Sequence, residues 1–184
     1  DIQVIFNVVS YDASKKDQLS SDPSITTNPL TIFRNYFDMN YLESNNADIA
    51  LYLGGYDYKG TDASTQGASW GYSYYPSDIC RYAWSQMVVD TDDGLPIHVY
   101  DGSLHARRYC VIHELGHIFN AGHQDSSGTN KATIWLDPAP HFTVMWSEFF
   151  GSALNTHEYS SPLYHGDADH NNAGAINAVK SIIA

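Results

Sequence analysis

The segment from His113 to His123 constrains this chain more than any other feature of its sequence. It consists of the residues HELGHIFNAGH. His113 and His117 are four residues apart, so on a helix both imidazoles leave the same face. Two nitrogens on one face can bind one tetrahedral zinc ion, which also needs a third protein ligand and a position open to water. The spacing therefore predicts a helix through His117 that carries a metal site.

His123 is the candidate third ligand, provided that the chain turns back. An unbroken helix would carry this residue away from the metal-binding face. Asn120 is suited to the reversal because asparagine tolerates the left-handed conformation, and Gly122 adds freedom just before His123. Glu114 follows the first ligand directly and can reach a water molecule on the metal. We therefore expect three histidine ligands with a carboxylate beside them.

The pattern HExxHxxNxxH with a methionine downstream is similar to the metzincin clan of zinc endopeptidases. Asn120 stands where glycine is commoner in the clan. By this resemblance Met145, within the segment TVMWS, belongs to a tight turn that forms an apolar floor beneath the ligands without binding the metal. The resemblance extends from Asp1 to this turn, and the motifs do not assign a subfamily.

The resemblance implies a zinc-dependent endopeptidase. We expect zinc to lower the pKa of its bound water to about 7. Glu114 would act as general base on that water, which attacks a peptide carbonyl, and would pass the proton to the leaving amine. In the clan a strand, here within residues 66–76, pairs with an extended substrate. Residues 146–164 would line the specificity pocket, with Tyr159 or Tyr164 as a possible oxyanion donor and Phe149 and Pro162 as further lining candidates.

The hydrophobic pattern predicts one α+β domain of layered helices and strands. The predicted strands are residues 2–8, 47–54, 70–75 and 83–89; the predicted helices start at Pro29, at Ser103 and at Asp169 or Asn171. The first helix would continue through Tyr41, the second to Phe119 and the last to Ile183. Residues 56–69 and 124–143 are expected to be irregular. By resemblance this is a zincin-like catalytic domain with a twisted mixed sheet, an upper lobe of about residues 1–123 and a lower lobe of about residues 124–184.

Charge and apolar content exclude two classes of partner. The net charge is −12, from 9 basic and 21 acidic residues, which disfavours nucleic-acid binding because phosphate contacts need clustered Lys and Arg. No apolar run approaches the roughly 18 residues that would span a bilayer. We therefore expect a soluble protein that does not bind nucleic acid. The resemblance implies a protein or peptide as substrate, and we expect a monomer.

Cys80 and Cys110 are the two cysteines of the chain. One disulfide between them is the simplest interpretation in an oxidising compartment, with two buried thiols as the alternative. The chain starts at Asp1 with a strand-like segment, which is typical of a processed mature form or of a trimmed chain, and we infer secretion from the first of these. The resemblance adds a propeptide that keeps the precursor latent.

Two acidic segments are weaker candidates for metal sites. Asp90, Asp92 and Asp93 could bind Ca²⁺ through oxygen ligands, although their spacing matches no full calcium loop and a solvated turn explains them as well. The run His165, Asp167, Asp169 and His170 could hold a second metal. Helix capping on an exposed surface accounts for that run more simply.

Two other functions remain open at this point. A thermolysin-like zincin would use a glutamate as third ligand, for which Glu148 and Glu158 are the candidates, but His123 would then be unexplained. A zinc-bearing binding module without catalysis is the non-enzymatic alternative. The presence of Glu114 argues against it.

Overall fold

The computed structural model describes residues 7–8, 29–55, 67–72, 77–88, 103–147 and 154–183. In these ranges helices and short mixed sheets alternate, which confirms the predicted α+β class. The elements are α1 (Pro29–Tyr36), α2 (Met39–Ser44), β1 (Ala50–Gly54), β2 (Gly67–Ser69), β3 (Tyr82–Gln86), α3 (Leu104–Ile118), β4 (Ile134–Leu136), β5 (Pro140–Phe142), β6 (Leu154–Asn155) and α4 (Asn172–Ile183).

The first sheet has the strand order β1-β3-β2. β3 pairs in parallel with β1, where Tyr82 lies opposite Ala50, and antiparallel with β2, where Trp84 lies opposite Ala68. Every residue of β3 is buried, as expected for a central strand covered on both faces. Helix α3 packs across β3 and β2. The edge strand β2 therefore lies beside the helix that carries the histidine motif.

A second small sheet follows α3 in the chain. β4 and β5 form an antiparallel pair with Ile134 opposite Phe142, and β6 adds in parallel to β5. The expectation that residues 124–143 are irregular was therefore wrong. The strands β4 and β5 have three residues each, and β5 begins with Pro140. Runs this short do not establish an alternating pattern in the sequence.

Two apolar clusters hold these layers together. The first cluster joins α1 and α2 to the β1-β3-β2 sheet and consists of Leu30, Phe33, Phe37, Leu42, Tyr52, Tyr82 and Trp84. The second lies between α3, the segment around Met145 and helix α4, and includes Leu115, Ile118, Val144, Ile176 and Val179. Helix α3 thus has the sheet on one side and the C-terminal part of the chain on another, so both can shape its metal-binding face.

The capping residues explain where three of the helices begin. Ser103 accepts a hydrogen bond from the Ala106 amide at 3.2 Å and starts α3, as predicted. Asp38 accepts from the Tyr41 amide at 3.0 Å and starts α2, so the single helix predicted from Pro29 through Tyr41 is two helices. Asn171, the second of the two candidate caps for α4, accepts from the Gly174 amide at 2.9 Å.

Several predicted features are displaced in the structure or fall on residues outside the described ranges. The strand expected at residues 70–75 is displaced: β2 ends at Ser69, Tyr72 lies outside any strand, and residues 73–76 are outside the described ranges. Of the strand expected at residues 2–8, residues 2–6 also lie outside these ranges, and residues 7–8 are not part of a strand. The candidate calcium residues Asp90, Asp92 and Asp93 lie outside them as well. Among the helices that are described, none combines the length and the apolar character needed to cross a membrane.

Candidate metal centre

The helix ends where the chain must turn to bring the third histidine back. Phe119 is the C-cap residue of α3. The next residue, Asn120, has a φ of 68°, in the left-handed region. The Ala121 amide then donates to the Gly116 carbonyl at 2.9 Å, which closes the reversal. The predicted reversal at Asn120 is confirmed, and it directs the following residues back along the helix.

The reversal brings three imidazoles together. Nε2 of His123 lies 3.0 Å from Nε2 of His113 and 2.9 Å from Nε2 of His117. Three nitrogens around one tetrahedral zinc ion, each at 2.0–2.1 Å, would be about 3.3 Å apart. The three side chains form the one group of metal-ligating residues found in the described ranges. Their separation therefore fits a single ion with little adjustment.

The other ring nitrogens fix which tautomer two of these histidines adopt. Nδ1 of His113 lies 2.7 Å from the Val144 carbonyl, and Nδ1 of His117 lies 3.0 Å from the Ala121 carbonyl. Because a carbonyl oxygen can only accept, each Nδ1 must carry the hydrogen and each Nε2 a lone pair. Lone pairs directed at one point repel one another unless a cation lies between them. The donor set therefore fits zinc.

Burial keeps these ligands neutral. Desolvation, assisted by the neighbouring histidines, lowers the pKa of His113 to about 3 and that of His117 to about 4. The pKa of His123 is also lowered by desolvation, although Asp125 nearby opposes the shift. Neutral imidazoles need no deprotonation before they bind a metal, so protons compete little for the site near neutral pH.

Glu114 is buried against the edge strand β2, with 6% of its surface exposed. Desolvation raises the pKa of its carboxyl to about 8, partly offset by the Ser69 hydroxyl. A Cβ atom on Gly67 would lie 2.6 Å from the Glu114 Oε1 atom and 2.9 Å from the Cys110 sulfur. Gly67 thus lets β2 approach the carboxyl. Gly67 was not among the predicted site residues, and its signal in the sequence is a glycine within a strand.

Met145 packs under α3 near the ligands. It is fully buried, and a Cβ atom on Gly116 would lie 2.5 Å from the Met145 sulfur. The Trp146 amide donates to the Thr143 carbonyl at 3.0 Å, which closes a tight turn around this methionine. The same turn supplies the Val144 carbonyl that orients His113. The turn and the helix are therefore in direct contact at Gly116, one residue before the second ligand.

The two candidate tyrosines lie in different surroundings. The Tyr159 hydroxyl donates to the Ile112 carbonyl at 2.7 Å, and burial raises its pKa. Tyr159 thus ties the lower part of the chain to α3. Tyr164 packs its ring against Trp135 at 5.9 Å and against His165 at 4.7 Å. Of the other pocket candidates, Pro162 is exposed and Phe149 lies outside the described residues.

Cys80 and Cys110 are both buried thiols, and no disulfide joins them. The predicted disulfide is therefore not confirmed, and the alternative of two buried thiols describes this structure. Burial and then the nearby Glu114 charge raise the pKa of Cys110 to about 12, which favours the protonated thiol. Cys110 lies one helical turn before Glu114, with its sulfur directed toward β2 and β3.

The remaining candidate ligands are not part of the histidine group. Glu158 is exposed and does not join His113 and His117, whereas His123 does. Glu148 lies outside the described residues. Oδ1 of Asp167 accepts hydrogen bonds from the amides of Asp169 and His170 and approaches Nδ1 of His170 at 2.9 Å. These bonds form a local turn before α4 on the surface.

Comparison with known proteins agrees with this geometry. The family model described as "Metallo-peptidase family M12B Reprolysin-like" matches residues 1–124, which include all three histidines. No curated protein matches the chain. A solved structure titled "Structure of a chaperone-substrate complex" has a TM-score of 0.50 and 16% identity, over 88% of this chain and 25% of that chain. This chain therefore spans a quarter of that solved chain, and the similarity concerns the fold alone.

Proposed function

The chain belongs to the reprolysin-like metallopeptidases of family M12B, and from this premise we propose that it is a zinc-dependent endopeptidase. The observation that carries the proposal is the convergence of three neutral imidazoles on one point, with a buried glutamate directly after the first of them in the sequence. His113, His117 and His123 would hold the zinc ion. When bound, zinc supplies Lewis-acid chemistry, because it polarises a carbonyl group and acidifies water.

Glu114 is the proposed general base. Its carboxyl has a pKa of about 8 because it is desolvated, so the carboxylate accepts a proton readily. A general base with a pKa near the working pH can take a proton from water and pass it to the leaving amine. Burial between α3 and β2 restricts the side chain, and the Ser69 hydroxyl adds a polar neighbour. These contacts restrain the carboxyl of the residue that follows the first ligand in the sequence.

The proposed substrate is an extended segment of a protein or peptide. Among the described strands, β2 lies at an edge of its sheet, next to α3 and Glu114. An exposed edge can add a substrate strand through backbone hydrogen bonds, with side-chain pockets giving specificity. Residues 146–164 are proposed to line the main pocket, where Tyr164 is the better candidate for a substrate contact. The Tyr159 hydroxyl already donates a hydrogen bond to the Ile112 carbonyl.

We also propose how the enzyme is organised and where it acts. Residues 1–184 would form one catalytic domain, with the cleft between an upper lobe that ends near His123 and a lower lobe that contains Met145 and α4. The protein would be secreted, made as a zymogen with a propeptide, and active as a monomer. Because Cys80 and Cys110 are buried thiols in the structure, this proposal includes no disulfide between them.

Digestion of a denatured protein mixture tests the proposed activity. The wild-type protein should produce new internal cleavage sites, a zinc chelator should stop the cleavage, and added zinc should restore it. The matched variant Glu114→Gln should retain one zinc ion, measured by elemental analysis, and lose cleavage by at least about 100-fold. A wild-type protein that binds zinc but cleaves nothing would instead support a zinc-bearing binding module.

A further inference from the structure

Asn172, the first residue of helix α4, contacts the metal centre from a distant part of the chain. It is fully buried. Its Oδ1 atom accepts a hydrogen bond from the Gly122 amide at 2.8 Å, and its Nδ2 group donates to the Gly122 carbonyl at 3.1 Å. The two polar atoms of the Asn172 side chain thus bind the backbone amide and the backbone carbonyl of a single residue, Gly122. That residue immediately precedes the third ligand, His123.

The pair of bonds requires the chemistry of asparagine. The side chain offers one acceptor and two donors, which match one amide and one carbonyl of the main chain. Aspartate of the same size would place an oxygen against the Gly122 carbonyl, and alanine would leave both groups without this partner. The Asn172 amide itself donates to the Ser160 hydroxyl at 3.1 Å. Asn172 is therefore held on its own side as well.

The neighbours of Gly122 show that this segment is fixed one residue at a time. The Asn120 carbonyl accepts from Nδ2 of Asn130 at 2.7 Å, and the Ala121 carbonyl lies 3.0 Å from Nδ1 of His117. The Gly122 carbonyl accepts from Asn172. The carbonyls of Asn120, Ala121 and Gly122 thus each have a partner, and Asn172 supplies the last one before the ligand.

We propose that Asn172 is a positioning residue for the metal centre, acting through Gly122 to hold His123 in place. It lies outside residues 1–124, the part matched by the family model. The N-terminal end of α4 would then complete a site whose ligands all come from the α3 region. This inference rests on the proposed zinc site, because it assigns a role in metal affinity.

Metal affinity measured on the full chain tests this inference. Zn²⁺ affinity is determined by competition with a chromophoric chelator, and the ligand field is followed by the visible absorption of bound Co²⁺. Asn172→Ala should weaken Zn²⁺ binding by about 10- to 100-fold, the typical effect of losing an outer-sphere partner. It should also change the Co²⁺ spectrum. Asn172→Asp, which places a buried carboxylate oxygen against the Gly122 carbonyl, should lose at least as much as Asn172→Ala.

Val179→Ala is the matched control, because it removes a buried side chain of the same helix two turns away. Urea unfolding of the metal-free proteins measures how far each variant is destabilised. Val179→Ala should lose stability and keep its Zn²⁺ affinity within about twofold. If Asn172→Ala and Val179→Ala bind Zn²⁺ as tightly as each other, the positioning role is wrong.

A double-mutant cycle separates a path through His123 from a general effect. In the His123→Ala background, adding Asn172→Ala should weaken Zn²⁺ binding by no more than about twofold, since the ligand it positions is gone. A further loss of tenfold or more would overturn the proposed path. A wild-type protein that binds neither Zn²⁺ nor Co²⁺ would overturn the zinc site itself, which is a different outcome from an Asn172 variant that binds like wild type.

Discussion

Gln124 and Ser147 join the segment of the third ligand to the turn that contains Met145. The Ser147 amide donates to Oε1 of Gln124 at 3.1 Å, and Nε2 of Gln124 donates to the Ser147 hydroxyl at 3.0 Å. Gln124 follows His123 directly, and Ser147 lies two residues after Met145. This contact, with the Val144 carbonyl bound to His113, links the turn to ligands on both sides of the helix end.

Replacing Gln124 should loosen this link. We expect Gln124→Ala to lower the free energy of unfolding by about 0.5–1.5 kcal/mol, the usual net value of an intramolecular hydrogen bond. Urea unfolding of the zinc-loaded protein measures the change. Combining Gln124→Ala with Ser147→Ala should cost less than the sum of the two single changes, because both remove the same contact. Strict additivity would show that the two residues are not coupled.

Substitution of Gly67 should disturb Glu114. A Cβ atom there would lie 2.6 Å from Oε1 of Glu114, so Gly67→Ala must shift the carboxyl or β2. We expect a destabilisation of about 1–3 kcal/mol and a lower kcat in peptide cleavage, with one zinc ion still bound. Gly55→Ala is the control, since no atom lies within 4 Å of its added carbon. Equal kcat values for the two variants would contradict the prediction.

The stability of the metal-free protein should depend on pH in two opposite ways. The pKa values of His113 and His117 fall from 6.5 to about 3 and about 4 on folding. The unfolded chain therefore binds more protons in this range, and stability rises with pH until about 6.5. The pKa of Glu114 rises from 4.5 to about 8. Between these two pH values the folded protein binds one more proton than the unfolded chain. The stability that Glu114 contributes therefore decreases as pH rises and is lost once the pH passes about 8.

These two contributions can be separated by the pH range. Between pH 6.5 and 8 the histidine contribution is complete, so wild-type protein should lose stability there because of Glu114. Urea midpoints in the presence of a chelator measure this, and Glu114→Gln should remove the decline in that range. Below pH 4.5 both proteins should lose stability alike as the histidines become charged. An identical slope above pH 6.5 in both proteins would mean that Glu114 is not the titrating group.

Zinc removal should lower stability by mass action. A ligand that binds only the folded state stabilises it by about 4 kcal/mol when its free concentration is a thousand times its dissociation constant. We therefore expect the melting temperature to increase with added zinc and to fall after chelation. In His123→Ala the same titration should shift the melting temperature much less. If zinc raised the melting temperature of this variant as much as that of the wild type, the ion would bind at another site.

The sequence alone predicted the parts of the site that depend on neighbouring residues. His113 and His117 share a helix face because of their spacing, Ser103 begins the helix, and Asn120 allows the left-handed turn that returns His123. Each of these follows from the conformational preferences of a few consecutive residues. The α+β class was predicted in the same way, whereas the boundaries of β2 and the hairpin of β4 and β5 were not. Those strands are too short to show a period.

The tertiary structure decided which distant groups complete the site. Val144 orients His113, Gly67 faces Glu114, and Asn172 binds Gly122, across separations of 31, 47 and 50 residues. No local pattern pairs these residues with their partners, since a glycine in a strand or an asparagine far along the chain has many equivalent uses. Their roles arise only when packing of α3 between the sheet and the C-terminal segment excludes water. Buried polar groups must then find partners within the protein.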